Sequence, residues 1–268
     1  FTPWMHNGLA FWLTIATGVG VWWAVGRLGA AWSQSAFGRV GGQRRTVGRS
    51  TRNQVSDADV AAAIRGWRST PVTHLVYTHG HADHVGGSPA FAEAFGEMTV
   101  VGHANVDARF DRYEYTNGWN VRINARQFGG DAKGDAGLGR GAHLLPDDVA
   151  EPDETFEDHL VRDVGGLRFE MHHDRGETDD HLWGWEPDRK WAFVGDFVIW
   201  NFPNAGNPQK VQRFPIEWAA ALREMIAKEP ELLLPAHGLP IEGRVRIAGV
   251  LDDIATALEM IVREVIDM

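Results

Sequence analysis

The chain has 268 residues, 44% hydrophobic and 23% charged, enough apolar material for one well-filled core or one domain with an appendage. A formal net charge of -10 argues against a nucleic-acid surface, because phosphate binding needs a basic stripe. Cysteine is absent, which excludes disulfides, thiolate zinc sites and thiol catalysis, so any metal must be held by imidazole and carboxylate; twelve histidines are available for that.

Phe1 to Gln54 contains no Asp or Glu and six arginines. Within it Gly8 to Gly26 is an uncharged, largely apolar run with Trp12, Trp22 and Trp23. It is barely long enough to span a bilayer, and its glycines weaken a helix. Three readings stay open: a membrane anchor or signal segment lacking a basic n-region, an Arg-rich targeting segment, or the atypical end of an incomplete chain that starts with Phe. No compartment is fixed; cytoplasmic is the default unless 8–26 is a signal or anchor. Residues 1–54 are therefore set apart from 55–246, and 247–268 are read as a C-terminal helix.

From Val55 the pattern is that of an α/β protein. Ser56 to Asp59 is a cap and acidic first turn for a helix through Trp67. Val72 to Tyr77 suits a buried strand. Ser88 caps a helix from Pro89 to Phe95, with Pro89 at its first position, and Met98 to Val101 is a further short strand. Phe128 to Ala142 is glycine-rich and reads either as a lid or binding loop or as a solvated excursion. Strand patterns resume at Leu167–Met171, Leu182–Trp185 and Trp191–Val194, the last two joined by the hairpin Glu186 to Lys190. An amphipathic helix covers Ile216 to Lys228, a strand Glu231 to Leu234, and a long helix Ile247 to Ile266.

The chemistry is concentrated in His79-Gly80-His81-Ala82-Asp83-His84, directly after the strand that ends at Tyr77. Metal ligands must converge to about 2 Å from an ion. In an extended turn His79 and His81 project to one side while Asp83 and His84 lie just beyond, so one loop can give two ligands to each of two ions. A chance run in a surface loop is the competing reading, and three histidines plus an aspartate in six positions make it improbable. His74, His103, His143 and His159 read as structural or exposed. After Asp196, the segment Trp200 to Lys210 leaves the sheet at the same end. Asn204, Lys210 and Arg213 are candidates there for binding an anionic group, unless the loop is only a connection.

The HxHxDH run after a strand resembles the signature of the metallo-β-lactamase-fold hydrolase superfamily, and the resemblance covers Val55 to Gly243. It continues at Gly195-Asp196, where the family places a metal-bridging aspartate, and at His237 in Pro235-Ala236-His237-Gly238, which matches the family's last histidine ligand. One position departs: Arg175-Gly176-Glu177-Thr178 has Glu177 where the family usually has histidine. Alkylsulfatase-like members also place a glutamate there, so the pattern is most similar to theirs.

The resemblance implies an αββα four-layer sandwich. It implies one metal on His79, His81 and Glu177, another on Asp83, His84 and His237, and Asp196 between them. His172, His173 and His181 are rival ligands, read instead as histidines that orient a ligand. Two zinc ions per chain are expected, with the extra carboxylate tilting preference toward Mn or Fe. The implied reaction is hydrolysis of an ester-like bond (a sulfate ester, a lactone or a relative) by a metal-bridged hydroxide, with Asp83 and Asp196 at the reacting centre. The partner would be a small-molecule substrate; its anionic character, a homodimer and a membrane contact through 8–26 stay open. The rivals are a di-iron redox member of the same superfamily and a degenerate, non-catalytic metal-binding protein. Gly38 to Arg52 offers no strand pair for the start of the first sheet, so that sheet is either incomplete or built in another way.

Overall fold

A computed structural model of the chain describes residues 14–16, 57–67, 71–128, 143–206 and 210–268. The first sheet has the order β1-β2-β3-β4, from β1 (Thr14–Ala16), β2 (Val72–Val76), β3 (Thr99–His103) and β4 (Glu154–Phe156). β1 runs antiparallel to β2, and β2, β3 and β4 are mutually parallel neighbours. The second sheet has the order β10-β9-β8-β7-β6-β5: β5 (His159–Val164), β6 (Leu167–His173), β7 (Leu182–Glu186), β8 (Trp191–Ile199), β9 (Leu232–His237) and β10 (Ile241–Glu242). Its pairs are antiparallel except β8–β9.

Strand alternation sorts the apolar residues into two cores. Leu75, Val101, Phe169, Met171, Leu182, Phe193 and Leu234 meet between the sheets. Their immediate neighbours Trp183, Ala192, Val194 and Leu233 point the other way and meet α6 (Pro215–Ala227) and α7 (Arg244–Asp267). On α7, Ile247, Leu251, Ala255 and Leu258 recur at helical spacing and are fully buried. A side chain such as Phe197 or Leu222, removed completely from water, contributes roughly 1.5–3 kcal/mol. The first sheet's outer face is covered by α1 (Asp57–Trp67) and α3 (Ser88–Phe95), with α4 (Val106–Tyr115) beside them and α5 (Asn117–Phe128) following. The layers are therefore helix, sheet, sheet, helix. α2 (Ala82–Val85) is a single turn inside the histidine run.

Several expectations shift. The strand at Thr14–Ala16 lies inside the apolar run 8–26, whereas 38–52, where no strand pair was found, lies outside the described residues. So do Ser56 and the glycine-rich stretch from 129 to 142. No helix among the described residues is long and apolar enough to cross a membrane. Ser88 is not a cap: Gly87 takes that place, and the Ser88 hydroxyl instead accepts the Ala150 N–H at 2.9 Å. β8 and β9 run on past their apolar cores to Ile199 and His237, which carries Asp196 and His237 on strands rather than in the loops after them. α4 and α5 were not anticipated at all.

Candidate metal centre

The histidine run leaves β2 at Thr78, whose buried hydroxyl lies 3.2 Å from His79 Nδ1 and 3.4 Å from His84 Nδ1. The chain then turns, with His84 and Val85 donating their N–H groups to the His81 carbonyl. Gly80, between the first two histidines, donates its N–H to Asp180 Oδ2 at 2.7 Å. A Cβ at Gly80 would come within 2.9 Å of the Arg109 side chain and 3.0 Å of that same oxygen. Arg109, from α4, holds Asp180 Oδ1 through its Nε at 2.9 Å and also pairs with Asp179. Burial opposes charge on both partners. Even so, Asp180 holds Arg109 protonated above the usual arginine range, and Arg109 keeps the Asp180 carboxyl below its usual range. A buried ion pair thus clamps the backbone that carries the first two histidines.

Two donor groups result. His79, His81, Glu177 and Asp196 each place one ligand atom within 4.8 Å of the others, and Asp83, His84 and His237 do the same. His79 Nε2 and His81 Nδ1 are 2.9 Å apart, and His81 Nδ1 is 3.7 Å from Glu177 Oε2. Asp196 also faces the second group, with Oδ2 at 3.4 Å from His84 Nε2 and Oδ1 at 3.5 Å from His237 Nε2. Asp83 Oδ2 lies 3.5 Å from His237 Nε2 and 3.6 Å from His84 Nε2. His84 Nε2 and Asp196 Oδ1 are buried with no hydrogen-bond partner among the described residues. Buried polar atoms left unpaired are costly, and an ion between the groups would satisfy both. The imidazole and carboxylate donor set fits zinc and its first-row neighbours.

The electrostatics have the same source. Burial, then the neighbouring His84, hold His79 neutral far below the usual histidine range; burial, then Arg213, do so for His81. Burial would raise Asp196, but His237 and His84 hold it well below the usual carboxylate range. Burial would likewise lower His237, yet Asp196 and Asp83 raise it well above its ordinary value. Burial, opposed by Arg213, pushes Glu177 up to about 7. Divalent cations would replace the protons that this cluster shares in their absence.

The remaining expected residues fall around this centre. Arg213 pairs with Glu177, Nη2 to Oε1 at 3.0 Å, and also donates to the Glu177 carbonyl. Asn204 Nδ2 reaches Glu177 Oε1 at 3.5 Å, and Lys210 Nζ donates to Asn124 Oδ1 on α5 at 3.1 Å. Arg213 and Asn204 therefore border Glu177, and Lys210 lies close enough to feel the charges of both Arg213 and Glu177. His181 lies in neither donor group: it stacks on Phe197 and accepts the Asp196 N–H on Nε2 at 3.1 Å, which positions the carboxylate. His173 stacks on His103 and bonds the Asp179 carbonyl at 3.0 Å, while His172 stacks on Trp183. Reading the sequence missed Thr78, Arg109, Asn124 and Asp180. A signal for α4 existed, since Val106, Phe110 and Tyr113 are spaced as one helical face and are buried.

Comparison with known proteins gives the same frame. The family profile described as the metallo-beta-lactamase superfamily matches residues 48–237. A linear primary-alkylsulfatase of Pseudomonas sp. (strain ATCC 19151) is 27% identical over 207 residues, covering 72% of this chain and 39% of the relative. A hydroxyacylglutathione hydrolase of Anaeromyxobacter dehalogenans (strain 2CP-C) is 41% identical over 54 residues, 20% of this chain and 21% of that protein. Among solved structures, a stereoselective inverting sec-alkylsulfatase from Pseudomonas sp. superposes with a TM-score of 0.64 at 18% identity, covering 80% of this chain and 37% of that one. At that identity the likeness is one of fold. The chain spans about two fifths of the length of the alkylsulfatases it matches.

Proposed function

The chain belongs to the metallo-β-lactamase superfamily, and from that premise we propose that it is a hydrolase that holds two transition-metal ions, zinc foremost, and cleaves an ester-like bond of a small molecule, with alkyl sulfates and lactones leading. The observation that carries this is the convergence of seven side chains from four separate segments into two adjoining donor groups that share Asp196. His79, His81 and Glu177 would hold one ion, and Asp83, His84 and His237 the other. When bound, such a pair supplies an acidified water and polarises the bond under attack. The protein's own groups do the rest. Asp83, beside His84 and His237, can accept a hydrogen bond from the attacking water and fix its direction. The Asp196 N–H is held by His181, so the carboxylate stays aligned between the two groups.

The anionic end of the substrate would meet Arg213, Lys210 and Asn204 on the Glu177 side. Arg213 Nε is a buried donor with no hydrogen-bond partner among the described residues, which an anionic oxygen would satisfy. An apolar portion has a place as well. Trp200 and Phe202 are more than half exposed, and Trp200 lies over Gly238, next to His237, and bonds the Leu239 carbonyl at 2.9 Å. An exposed apolar rim beside a cationic pocket suits an amphiphile with a short or long alkyl tail.

The test is a hydrolysis screen over alkyl sulfates, lactones, β-lactams, thioesters and phosphodiesters with zinc-reconstituted protein. Turnover of an alkyl sulfate or lactone is expected, with His84→Ala losing activity and metal together. A folded wild-type chain that stays metal-free in zinc-supplemented buffer would overturn the reading. Iron in the purified protein without hydrolysis would replace it with the redox reading.

A further inference from the structure

A third group of metal-type donors lies outside the centre, on the face of the second sheet that α6 covers. His159, Glu170 and His172 each place one ligand atom within 4.8 Å of the other two. Strand register dictates this. His159 and His172 are directly opposed on the antiparallel pair β5–β6, with ring centroids 4.5 Å apart. Glu170 is two residues from His172, hence on the same face of the strand.

We infer that His159, Glu170 and His172 form a strand-bridging site for a late first-row divalent cation such as zinc, separate from the paired donor groups and independent of the proposed hydrolysis. His172 is the fixed member. Its ring lies flat on Trp183, centroids 4.3 Å apart and 11° between planes. Its Nε2 is buried with no hydrogen-bond partner among the described residues, the nearest carboxylate oxygen being Glu170 Oε2 at 3.6 Å. Its Nδ1 lies 3.9 Å from Glu224 Oε1 of α6, so the outer nitrogen faces a carboxylate as metal-bound histidines commonly do. Burial first, then Lys228, lower its pKa to about 4, so the ring is neutral at pH 7, the form that binds a metal.

Two features set the strength of the site. Ligands around a tetrahedral ion sit about 3.3 Å from one another, closer than the 4.8 Å limit met here, so binding must draw the donors together. His159 is exposed and can make that movement. Glu170 already collects cations, with Lys228 Nζ at 3.4 Å from Oε2 and Arg168 Nε at 3.3 Å from Oε1. A divalent ion held at the same time by two imidazoles displaces an ammonium that offers charge but no coordination. Because β5 ends its sheet and pairs only with β6 among the described residues, the bound ion would clip that edge in place.

The experiment is equilibrium dialysis of the full chain against zinc, followed by metal analysis and thermal melting. Wild-type protein is expected to hold one more zinc per chain than His159→Ala, and excess zinc should raise its Tm further than that of the variant. Glu170→Gln should weaken the extra ion about tenfold or more. His159 lies outside the paired donor groups, so His159→Ala should keep wild-type hydrolysis. Equal zinc content and equal Tm responses in wild type and His159→Ala would overturn the inference. A chain whose paired groups took up no metal would still show the difference of one ion, so the two readings fail separately.

Discussion

At Gly195 the backbone adopts a φ of +49°, and a Cβ there would lie 2.8 Å from His181 Nε2 and 2.9 Å from Thr78 Cβ. Both neighbours border the candidate metal centre: Thr78 lies against His79 and His84, and His181 holds the Asp196 N–H. Gly195→Ala should therefore cost about 2 kcal/mol or more in stability and lower metal content, read by urea unfolding and metal analysis. A variant that binds metal like wild type would show that β8 relaxes at this point without moving Asp196. Arg213 makes a second argument at this scale. It offsets the burial of Glu177 at 3.0 Å, and both side chains are almost fully buried. Arg213→Met should destabilise the chain by about 3–5 kcal/mol, because an unpaired buried carboxylate remains. It should also raise KM for an anionic substrate more than for a neutral ester of the same length. An equal rise for both would mean that Arg213 acts only on Glu177.

The elements differ in how far local pattern determines them. β6, β7, β8 and α7 were legible because their periodicity is strong: Leu167, Phe169 and Met171 alternate, and Ile247, Leu251 and Leu258 recur along one helical face. The histidine run was legible because all its ligands sit in six residues. Asp180 was not, since its role depends on Gly80, 100 positions away, and on Arg109, 71 positions away, and no local period records such a pairing. The bond that ties the end of β3 to Glu157, 54 positions on, was illegible for a similar reason. There His103 donates from Nε2 to the Glu157 carbonyl at 2.8 Å and accepts the Asn105 N–H on Nδ1 at 3.1 Å. Protonation would break the second bond, and burial, then His173, lower its pKa. In the unfolded chain His103 titrates near 6.5. As pH falls through that value the unfolded state takes up a proton that the folded state resists, so stability is lost until the lower folded pKa is reached. Urea unfolding at pH 7.5 and pH 5 should show this loss, and His103→Gln should shrink it. An unchanged loss in the variant would assign the pH dependence to other groups.

For the whole molecule, the decisive feature is that the two sheets meet over one core and also share the candidate metal centre. His79, His81, Asp83 and His84 follow β2 of the first sheet, whereas Asp196 and His237 lie on β8 and β9 of the second and Glu177 lies between β6 and β7. An ion bound to both sets is a tie across the sandwich that the unfolded chain cannot offer. Each such site held at a hundred times its Kd adds about 2.7 kcal/mol to the folded state. In a chain of this size 1 kcal/mol moves Tm by roughly 2–4 °C, so loading one site should raise Tm by about 5–11 °C. Stripping metal with a chelator should reverse that rise, and adding zinc back should restore it. His84→Ala should respond less than wild type, because it keeps the donors of the first group but breaks the second. If wild-type protein melted at the same temperature with and without zinc, ions at this centre would contribute nothing to holding the sheets together, and the donor groups would be preformed by packing alone.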